Sequence, residues 1–199
     1  MNRIDVINLL IRRGNYSRYL EIGCQSDVAF NAVQAPIKVG VDPVSGGTIR
    51  DRSDNFFATN RDTFDIVFID GDHHHDQVAR DVDNALRFLG PGGTIVMHDC
   101  LPPDADHESL QRCGTAWRAF LNRTRTRADV ESFCGDFDYG VGIVRRLPNS
   151  ALVQVASMND LTYGDLATHR KAWMRPFDAH AIDAIINAPN WLTGPILPP

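Results

Sequence analysis

The stretch FDIVFIDGDHHHDQVARDVDNALRFLGPGGTIVMHDC, residues 64–100, decides the fold of this chain. Two short, β-branched apolar runs lie within it, Asp65–Ile69 and Thr94–Met97, and such runs are typical of buried parallel strands. Between the runs, apolar residues recur at helical spacing until Pro91-Gly92-Gly93 ends the pattern. The stretch therefore predicts a strand, a helix and a second parallel strand, joined by a right-handed crossover.

Acidic and imidazole side chains follow both predicted strands. Asp70 comes directly after the first strand, and His98 and Asp99 come directly after the second. Because neighbouring strands lie about 4.8 Å apart, we expect Asp70 and Asp99 to converge with His73 and His98 on one crevice. The sequence thus places its candidate chemistry at the carboxyl edge of the sheet.

Length and composition suit one domain with a sizeable core, because the chain has 199 residues, of which 43% are hydrophobic and 23% charged. The net charge is -5, and basic residues are scattered apart from Arg123, Arg125 and Arg127, so no nucleic-acid partner is expected. The first residues fit an amphipathic helix better than a signal peptide, and no apolar run reaches membrane-spanning length. These features predict a cytoplasmic protein. The four cysteines form no CxxC pair and are expected to be buried thiols.

The segment around Gly23 predicts a ligand-binding turn between a strand and a helix. Arg18–Ile22 has the pattern of a strand, Gly23 permits a sharp turn, and Ser26 or Asp27 is expected to cap the following helix. A pyrophosphate would need repeated glycines here, and Asp27 would repel it, so NAD is disfavoured. Glu21 and Gly23 instead suit a ligand that carries an ammonium and a sulfonium group.

A second predicted strand, Lys38–Asp42, ends in a carboxylate 19 residues after Gly23. At this strand tip an acidic side chain typically accepts hydrogen bonds from ribose hydroxyls, which makes Asp42 a candidate for cofactor binding. The alternative is that Asp42 only caps a turn. Ser53 and Asp54 begin the next predicted helix and are further cofactor candidates, with Asp54 placed either to reach an adenine amine or merely to cap.

The remainder of the chain predicts a substrate-covering loop, an edge hairpin and a helical tail. The polar, proline-containing loop 101–107 leaves the carboxyl edge of the sheet, where it would cover a substrate. The predicted elements after it are a helix over 115–121, paired strands over 130–134 and 139–144 at the sheet edge, a strand over 151–156, and helices over 163–173 and 178–186. Trp173 and Trp191 are expected to make packing or dimer contacts.

Several motifs occur in a characteristic order along residues 17–146, namely Glu21-Ile22-Gly23, Asp42, Asp70-Gly71-Asp72-His73, Pro91-Gly92-Gly93 and His98-Asp99. In this order the chain resembles the class I S-adenosylmethionine-dependent methyltransferases. The Asp-Gly-x-His turn, followed by acidic residues on the next strand, is similar to the metal-dependent O-methyltransferases that modify sugars of macrolides and bacterial glycans. One departure lies at residues 25–27, where Gln-Ser-Asp stands in place of further glycine.

The resemblance implies an α/β fold, a Rossmann-like, doubly wound, mostly parallel seven-stranded sheet with helices on both faces. It makes residues 1–199 a single methyltransferase domain with a core over 17–146. The C-terminal tail, 147–199, is then expected to pack on the core or on a partner subunit, and a homodimer is one expected assembly.

The resemblance also assigns roles in the site. Asp70 and Asp99 would hold Mg²⁺ or Mn²⁺, His73 would be the catalytic base, and Asp70 would also face the cofactor. His98 and Cys100 flank Asp99 where the family usually has a second carboxylate or an Asn, so either the metal gains a softer ligand such as His98 or water fills that place. His98 is also the alternative base.

The implied activity is Mg²⁺-assisted transfer of a methyl group from S-adenosylmethionine to a hydroxyl of a sugar or glycan. A catechol or another small hydroxylated metabolite is the alternative acceptor. A zinc or manganese hydrolase is suggested by the acidic and imidazole cluster over residues 70–76 together with His98, but consecutive residues in a turn cannot all face one ion. A nonenzymatic nucleoside-binding regulator would use Asp42 and leave the carboxylate crevice unexplained.

Overall fold

A computed structural model describes residues 1–155 and 160–194 of the chain. The strands are β1 (Arg18–Ile22), β2 (Ile37–Val41), β3 (Phe64–Ile69), β4 (Leu89–Met97), β5 (Glu131–Gly135), β6 (Val141–Arg145) and β7 (Pro176–Phe177). The helices are α1 (Arg3–Gly14), α2 (Val28–Ala32), α3 (Ser53–Thr59), α4 (His75–Phe88), α5 (Ala116–Phe120), α6 (Tyr163–Met174) and α7 (Ala179–Asn187). A 3₁₀ turn, Ala105–Glu108, precedes α5, and a π-helical turn, Leu121–Arg125, follows it.

These strands form one sheet in the order β2-β1-β3-β4-β6-β5-β7. Strands β1 to β4 are parallel, β6 is antiparallel to β4 and β5, and β7 is parallel to β5. The predicted Rossmann-like, mostly parallel sheet of seven strands is thereby confirmed. Strand order reverses direction at β1, and such a switch point opens a crevice at the carboxyl ends of the strands.

Helices cover both faces of the sheet. Successive side chains of each strand point to opposite sides, so each strand contributes residues to both of these faces. Val67 and Ile69 of β3 pack in one apolar cluster with residues of α3, α4, α5 and α6. Ile66 and Phe68 pack in a second cluster with residues of α1, α2 and α7. The strands between these clusters are buried on both faces, which explains their nearly continuous apolar sequences.

The central prediction of a strand, helix and parallel strand over residues 64–100 is borne out by β3, α4 and β4. Ile69 pairs with Met97 across the two strands, and the N–H of His98 donates to the carbonyl of Ile69 at 3.0 Å. Their carboxyl ends therefore lie side by side. Strand β4 begins at Leu89, earlier than predicted, and pairs irregularly with β3 at that end.

Two predictions about the later strands need correction. The hairpin of β5 and β6 does not form the sheet edge, because β6 lies between β4 and β5, and β7 is added outside β5. Residues 151–155 form no strand, and Ala156 lies outside the described residues. There the carbonyl of Ala151 accepts from the guanidinium of Arg125, and the N–H of Val153 donates to the carbonyl of Arg125. These backbone groups are therefore not available for the hydrogen bonds between strands that a β-strand would need.

The described part of the tail packs on the sheet of its own chain. Trp173 belongs to the cluster on one face, and Trp191 lies edge-on to Phe133 in the cluster on the other face, with ring centroids 6.3 Å apart. These contacts confirm the packing interpretation of both tryptophans. All four cysteines are buried and free, as predicted. Within residues 1–155 and 160–194, no helix is long and apolar enough to cross a membrane.

Candidate functional site

The crevice at the carboxyl ends of the parallel strands has a volume of about 1220 Å³. Its lining includes nearly all predicted site residues, namely Glu21, Gly23, Asp42, Ser53, Asp70, His73, His98 and Asp99. Asp54 is not among the described residues that line it, because its carboxylate lies 3.3 Å from Nε of Arg80 on the neighbouring helix. One crevice therefore gathers side chains that are far apart in the sequence.

The turn after β1 requires glycine at position 23. Gly23 has φ +88°, and a Cβ atom placed there would lie 2.2 Å from the carbonyl oxygen of Asp70. The two loops that frame the crevice are thus in direct backbone contact. The expected cap of α2 does not form, because Asp27 has φ 61° and accepts instead from the N–H of Gly47 at 2.6 Å.

Glu21 is a buried carboxyl group in the crevice lining. It is 1% exposed and accepts a hydrogen bond from the hydroxyl of Tyr19. Burial raises the pKa of Glu21 to about 7, although the hydrogen bond from Tyr19 acts in the opposite direction. The group is therefore close to half ionised at neutral pH, and a cation bound beside it would favour the ionised form.

The Asp42 carboxylate joins the turns that follow β1 and β2. One oxygen accepts from the N–H groups of Cys24 and Gln25, each at 3.0 Å, and the other accepts from Val44 and Ser45, each at 2.8 Å. Burial would raise the pKa of Asp42, but these four bonds lower it below its ordinary value. Because a carboxylate offers about four acceptor positions, a ribose hydroxyl would have to share one that a backbone amide already uses.

Ser53 lines the crevice together with Asp81, a carboxyl group that the sequence analysis did not identify. The hydroxyl of Ser53 donates to Asp81 at 2.6 Å, and the Gln77 amide donates to the same oxygen at 3.2 Å. Burial raises the pKa of Asp81 to about 6, against the lowering effect of both bonds. The Ser53 hydroxyl also accepts from the Gln77 amide at 3.2 Å, so one acceptor position of the hydroxyl is left for a ligand.

His73 lies beside the two carboxylates that end β3 and β4. Its Nε2 atom is 3.3 Å from Asp99 and 4.0 Å from Asp70, and one ligand atom from each residue lies within 4.8 Å of the others. Its Nδ1 atom is 3.2 Å from the carbonyl of Leu110, which can only accept, so Nδ1 bears the proton. In the neutral ring Nε2 therefore directs a lone pair towards two carboxylates, an arrangement that a proton or a metal ion between them would stabilise.

His98 has a different environment, because carboxylates face both of its ring nitrogens. Nδ1 is 3.2 Å from Asp70 and 3.4 Å from Asp99, and Nε2 is 3.5 Å from Asp138. Burial alone would lower the pKa of His98, but hydrogen bonds to these three carboxylates raise it to about 11. An imidazolium has no lone pair for a metal or a proton, so this geometry makes His98 a cationic support for the carboxylates. The two roles predicted for His98, metal ligand and alternative base, stay predictions, since either role would require the ring to give up a proton.

Arg3 and Asp138 complete the charged cluster from two distant parts of the chain. The guanidinium of Arg3 donates to Asp138 at 3.0 Å, and its Nε atom lies 3.6 Å from a carboxylate oxygen of Asp70. The backbone N–H of Arg3 also donates to Asp138, at 2.8 Å. No spacing in the sequence relates residues 3, 70 and 138, so only the packing of α1 across the sheet brings them together.

The three consecutive histidines do not form a joint metal centre. His74 and His75 stack on each other, with centroids 4.8 Å apart, and both lie near Asp76. Within the described residues, the group able to hold an ion comprises Asp70, His73 and Asp99. This arrangement disfavours the hydrolase hypothesis, which required the histidine cluster to act as one site.

Residues 10–100 match the family model described as a methyltransferase domain. The matched segment contains β1 to β4 and most of the residues that line the crevice. No curated protein matches the sequence of the chain. The match covers just under half of the chain and supports the prediction of a methyltransferase.

Solved methyltransferases share the fold. The methyltransferase PaMTH1 of Podospora anserina, bound to S-adenosylhomocysteine, superposes with a TM-score of 0.56 and 20% identity over 69% of this chain and 76% of its own. The O-methyltransferase TomG of Streptomyces achromogenes, which takes part in tomaymycin synthesis and was solved with S-adenosylmethionine, gives 0.54 and 17% over 74% and 79%. The N-methyltransferase NodS of Bradyrhizobium japonicum gives 0.50 and 16% over 74% and 94%. Because O- and N-methyltransferases share this fold, the acceptor atom must be argued from the site.

Proposed function

We propose that the protein transfers a methyl group from S-adenosylmethionine to a hydroxyl oxygen, with a divalent metal ion held at Asp70, His73 and Asp99. The observation that supports this most directly is the position of that group. The three residues lie in the crevice of a methyltransferase domain, beside the glycine turn that follows β1. A metal ion there would serve an oxygen acceptor, since it lowers the pKa of a bound hydroxyl and fixes its position.

The end of the crevice near β1 suits S-adenosylmethionine. Gly23 provides a close backbone approach, and Glu21 is a buried acid that a sulfonium or ammonium group would draw into its ionised form. Asp42 is the candidate for the ribose, which would have to share the carboxylate with backbone amides. The cofactors of PaMTH1 and TomG, S-adenosylhomocysteine and S-adenosylmethionine, support the same assignment.

The donor set fits Mn²⁺ at least as well as Mg²⁺. Two carboxylates and one imidazole nitrogen would bind the ion, whereas Mg²⁺ prefers oxygen ligands alone. His73 was predicted to be the base, and its Nε2 lone pair cannot hold a metal and accept a proton at the same time. We assign His73 to the metal because Nδ1 is fixed by Leu110 and Nε2 is directed at the carboxylates. His98 would hold Asp70 and Asp99 in place from the other side.

The acceptor is proposed to be a hydroxyl of a sugar or glycan, as the resemblance implies. A catechol or another small hydroxylated metabolite is the alternative. The cytoplasmic location, the single domain over residues 1–199 and the homodimer stay predictions alongside it.

Calorimetric titration with S-adenosylhomocysteine tests the cofactor assignment. We expect saturable binding and a raised melting temperature with S-adenosylhomocysteine, and no comparable effect of NAD. Asp42→Ala should weaken binding by about tenfold or more, because it removes a ribose acceptor and the hydrogen bonds that hold the turns after β1 and β2. Preference for NAD would refute the assignment. Methyl transfer should stop in EDTA and return with Mn²⁺ or Mg²⁺, and full activity in chelator would remove the metal from the proposal.

A further inference from the structure

The end of the crevice that contains Asp70, His73 and Asp99 is called the acceptor end below. Two aromatic rings, Tyr139 and His107, lie there, and neither was identified as a site residue from the sequence. Tyr139, in the turn between β5 and β6, is 51% exposed and lines the crevice. Its ring stacks on His107 of the 3₁₀ turn, with centroids 5.7 Å apart and planes at 29°. It also meets the ring of His98 edge-on at 6.3 Å. Tyr139 is thus separated from the carboxylates of the proposed metal group by a single imidazole ring.

The backbone that positions the Tyr139 ring has an unfavourable conformation. Asp138 and Tyr139 have φ values of 49° and 59°, in the left-handed region that non-glycine residues rarely occupy. The carbonyl of Tyr139 accepts from the N–H of Leu101 at 2.8 Å, and a Cβ atom at Gly140 would lie 2.2 Å from that nitrogen. Asp138 is held in turn by Arg3. Strain of this kind persists where the surroundings enforce it, and it often accompanies functional sites.

The surroundings leave Tyr139 free to contact a ligand. His107 covers one side of the ring and is itself held by Asp104, whose carboxylate lies 2.6 Å from Nδ1 of His107. A half-exposed aromatic ring beside a polar reaction centre offers an apolar surface to the part of a substrate that carries no polar groups. The carboxylates next to it are suited to bind hydroxyls through a metal ion.

We infer that Tyr139 is the platform on which the ring of the acceptor lies while one of its hydroxyls reaches the group of Asp70, His73 and Asp99. This inference rests on the proposed function and makes the acceptor class more specific. The acceptor is a hydroxylated ring that has at least one flat apolar face. A catechol and the carbon face of a hexopyranose both have that chemistry, and both stack on aromatic side chains.

Binding of two probes to four proteins tests the platform. The probes are catechol and methyl α-glucopyranoside, titrated in the presence of S-adenosylhomocysteine and Mn²⁺. The proteins are the wild type, Tyr139→Phe, Tyr139→Asn and Leu152→Asn. Asn removes the ring but tolerates the left-handed backbone, so the turn is preserved. Leu152 is 50% exposed and is not among the described lining residues, so Leu152→Asn matches the change in exposed apolar surface elsewhere.

At least one probe should bind the wild type, and its affinity should fall by about tenfold in Tyr139→Asn while staying within about twofold in Tyr139→Phe and Leu152→Asn. The probe that shows this pattern identifies the acceptor ring as that of a catechol or that of a sugar. Equal affinity in wild type and Tyr139→Asn would overturn the platform, as would the failure of both probes to bind the wild type. If S-adenosylhomocysteine does not bind but Tyr139 still governs probe affinity, the proposed function fails and the platform stands. If the cofactor binds and Tyr139→Asn has no effect on probe affinity, the platform fails and the proposed function stands.

Discussion

The raised pKa of Glu21 makes the stability of the protein depend on pH in a way that one substitution removes. Burial raises this pKa from 4.5 to about 7, so the folded chain holds the proton more tightly than the unfolded chain. Between these two values the folded state binds more protons, and the free energy of unfolding must therefore fall as pH rises. Glu21→Gln keeps the shape and the acceptor for Tyr19 but cannot ionise.

The size of the effect follows from the two pKa values. Each pH unit between them corresponds to about 1.36 kcal/mol, so the interval from 4.5 to about 7 corresponds to about 3 kcal/mol. The stability of Glu21→Gln relative to wild type should therefore grow by about that amount from acid to neutral pH and stay level above pH 7. Other groups that titrate in this range, such as Asp81, are common to both proteins and cancel in the difference.

Urea unfolding at a series of pH values between about 4 and 8 measures this difference. A suitable control is Asp76→Asn, which removes a carboxylate that is 69% exposed and should give a nearly constant difference from wild type. If the difference between Glu21→Gln and wild type does not change with pH, Glu21 has an ordinary pKa and the argument from burial is refuted. A difference of the opposite sign would show that a buried cation already pairs with Glu21.

Two further predictions address the acceptor end of the crevice. His73→Ala should weaken Mn²⁺ binding by at least about tenfold, measured by titration calorimetry, while His74→Ala should leave it unchanged, because His74 lies near Asp76 and is not part of the group of Asp70, His73 and Asp99; equal affinities would return His73 to the role of base. Arg170→Ala should raise the KM for the acceptor roughly threefold to tenfold without changing S-adenosylhomocysteine affinity, because Arg170 donates to the carbonyl of Pro102 at 3.2 Å and so holds the loop 101–107, whose residue His107 lines the crevice. An unchanged KM would show that the loop is fixed without Arg170.

The fold was predictable where the sequence has strong local patterns. The apolar runs that became β3 and β4, and the helical periodicity of α4, specify their structures with little help from the rest of the chain. Strand β7 was not predictable, because it has two residues and begins with Pro176, and it exists only through pairing with β5. The segment 151–155 has a strand-like sequence, yet contacts with Arg125 give it another conformation.

The site was predictable at the strand tips and unpredictable elsewhere. Asp70 and Asp99 could be brought together from sequence because adjacent parallel strands end at the same edge. Arg3, Asp138 and Tyr139 reach the same crevice from a helix end and a turn, and their proximity depends on tertiary packing that no sequence spacing encodes. The buried ribose candidate Asp42 shows a related limit, because its backbone partners become visible only in the folded turns.

Charge explains why the two ends of the crevice differ in what they can bind. At the acceptor end, three carboxylates face two cationic groups, the guanidinium of Arg3 and the ring of His98. That end therefore favours one more cation, which is the role proposed for the metal ion. At the other end, burial raises the pKa of Glu21 to about 7, and a cationic cofactor bound beside it would favour its charged form. When the methyl group leaves, the sulfonium becomes a neutral thioether, and Glu21 regains its tendency to bind a proton. We therefore expect the crevice to bind the charged methyl donor more strongly than the uncharged thioether, which would favour release of the product after transfer.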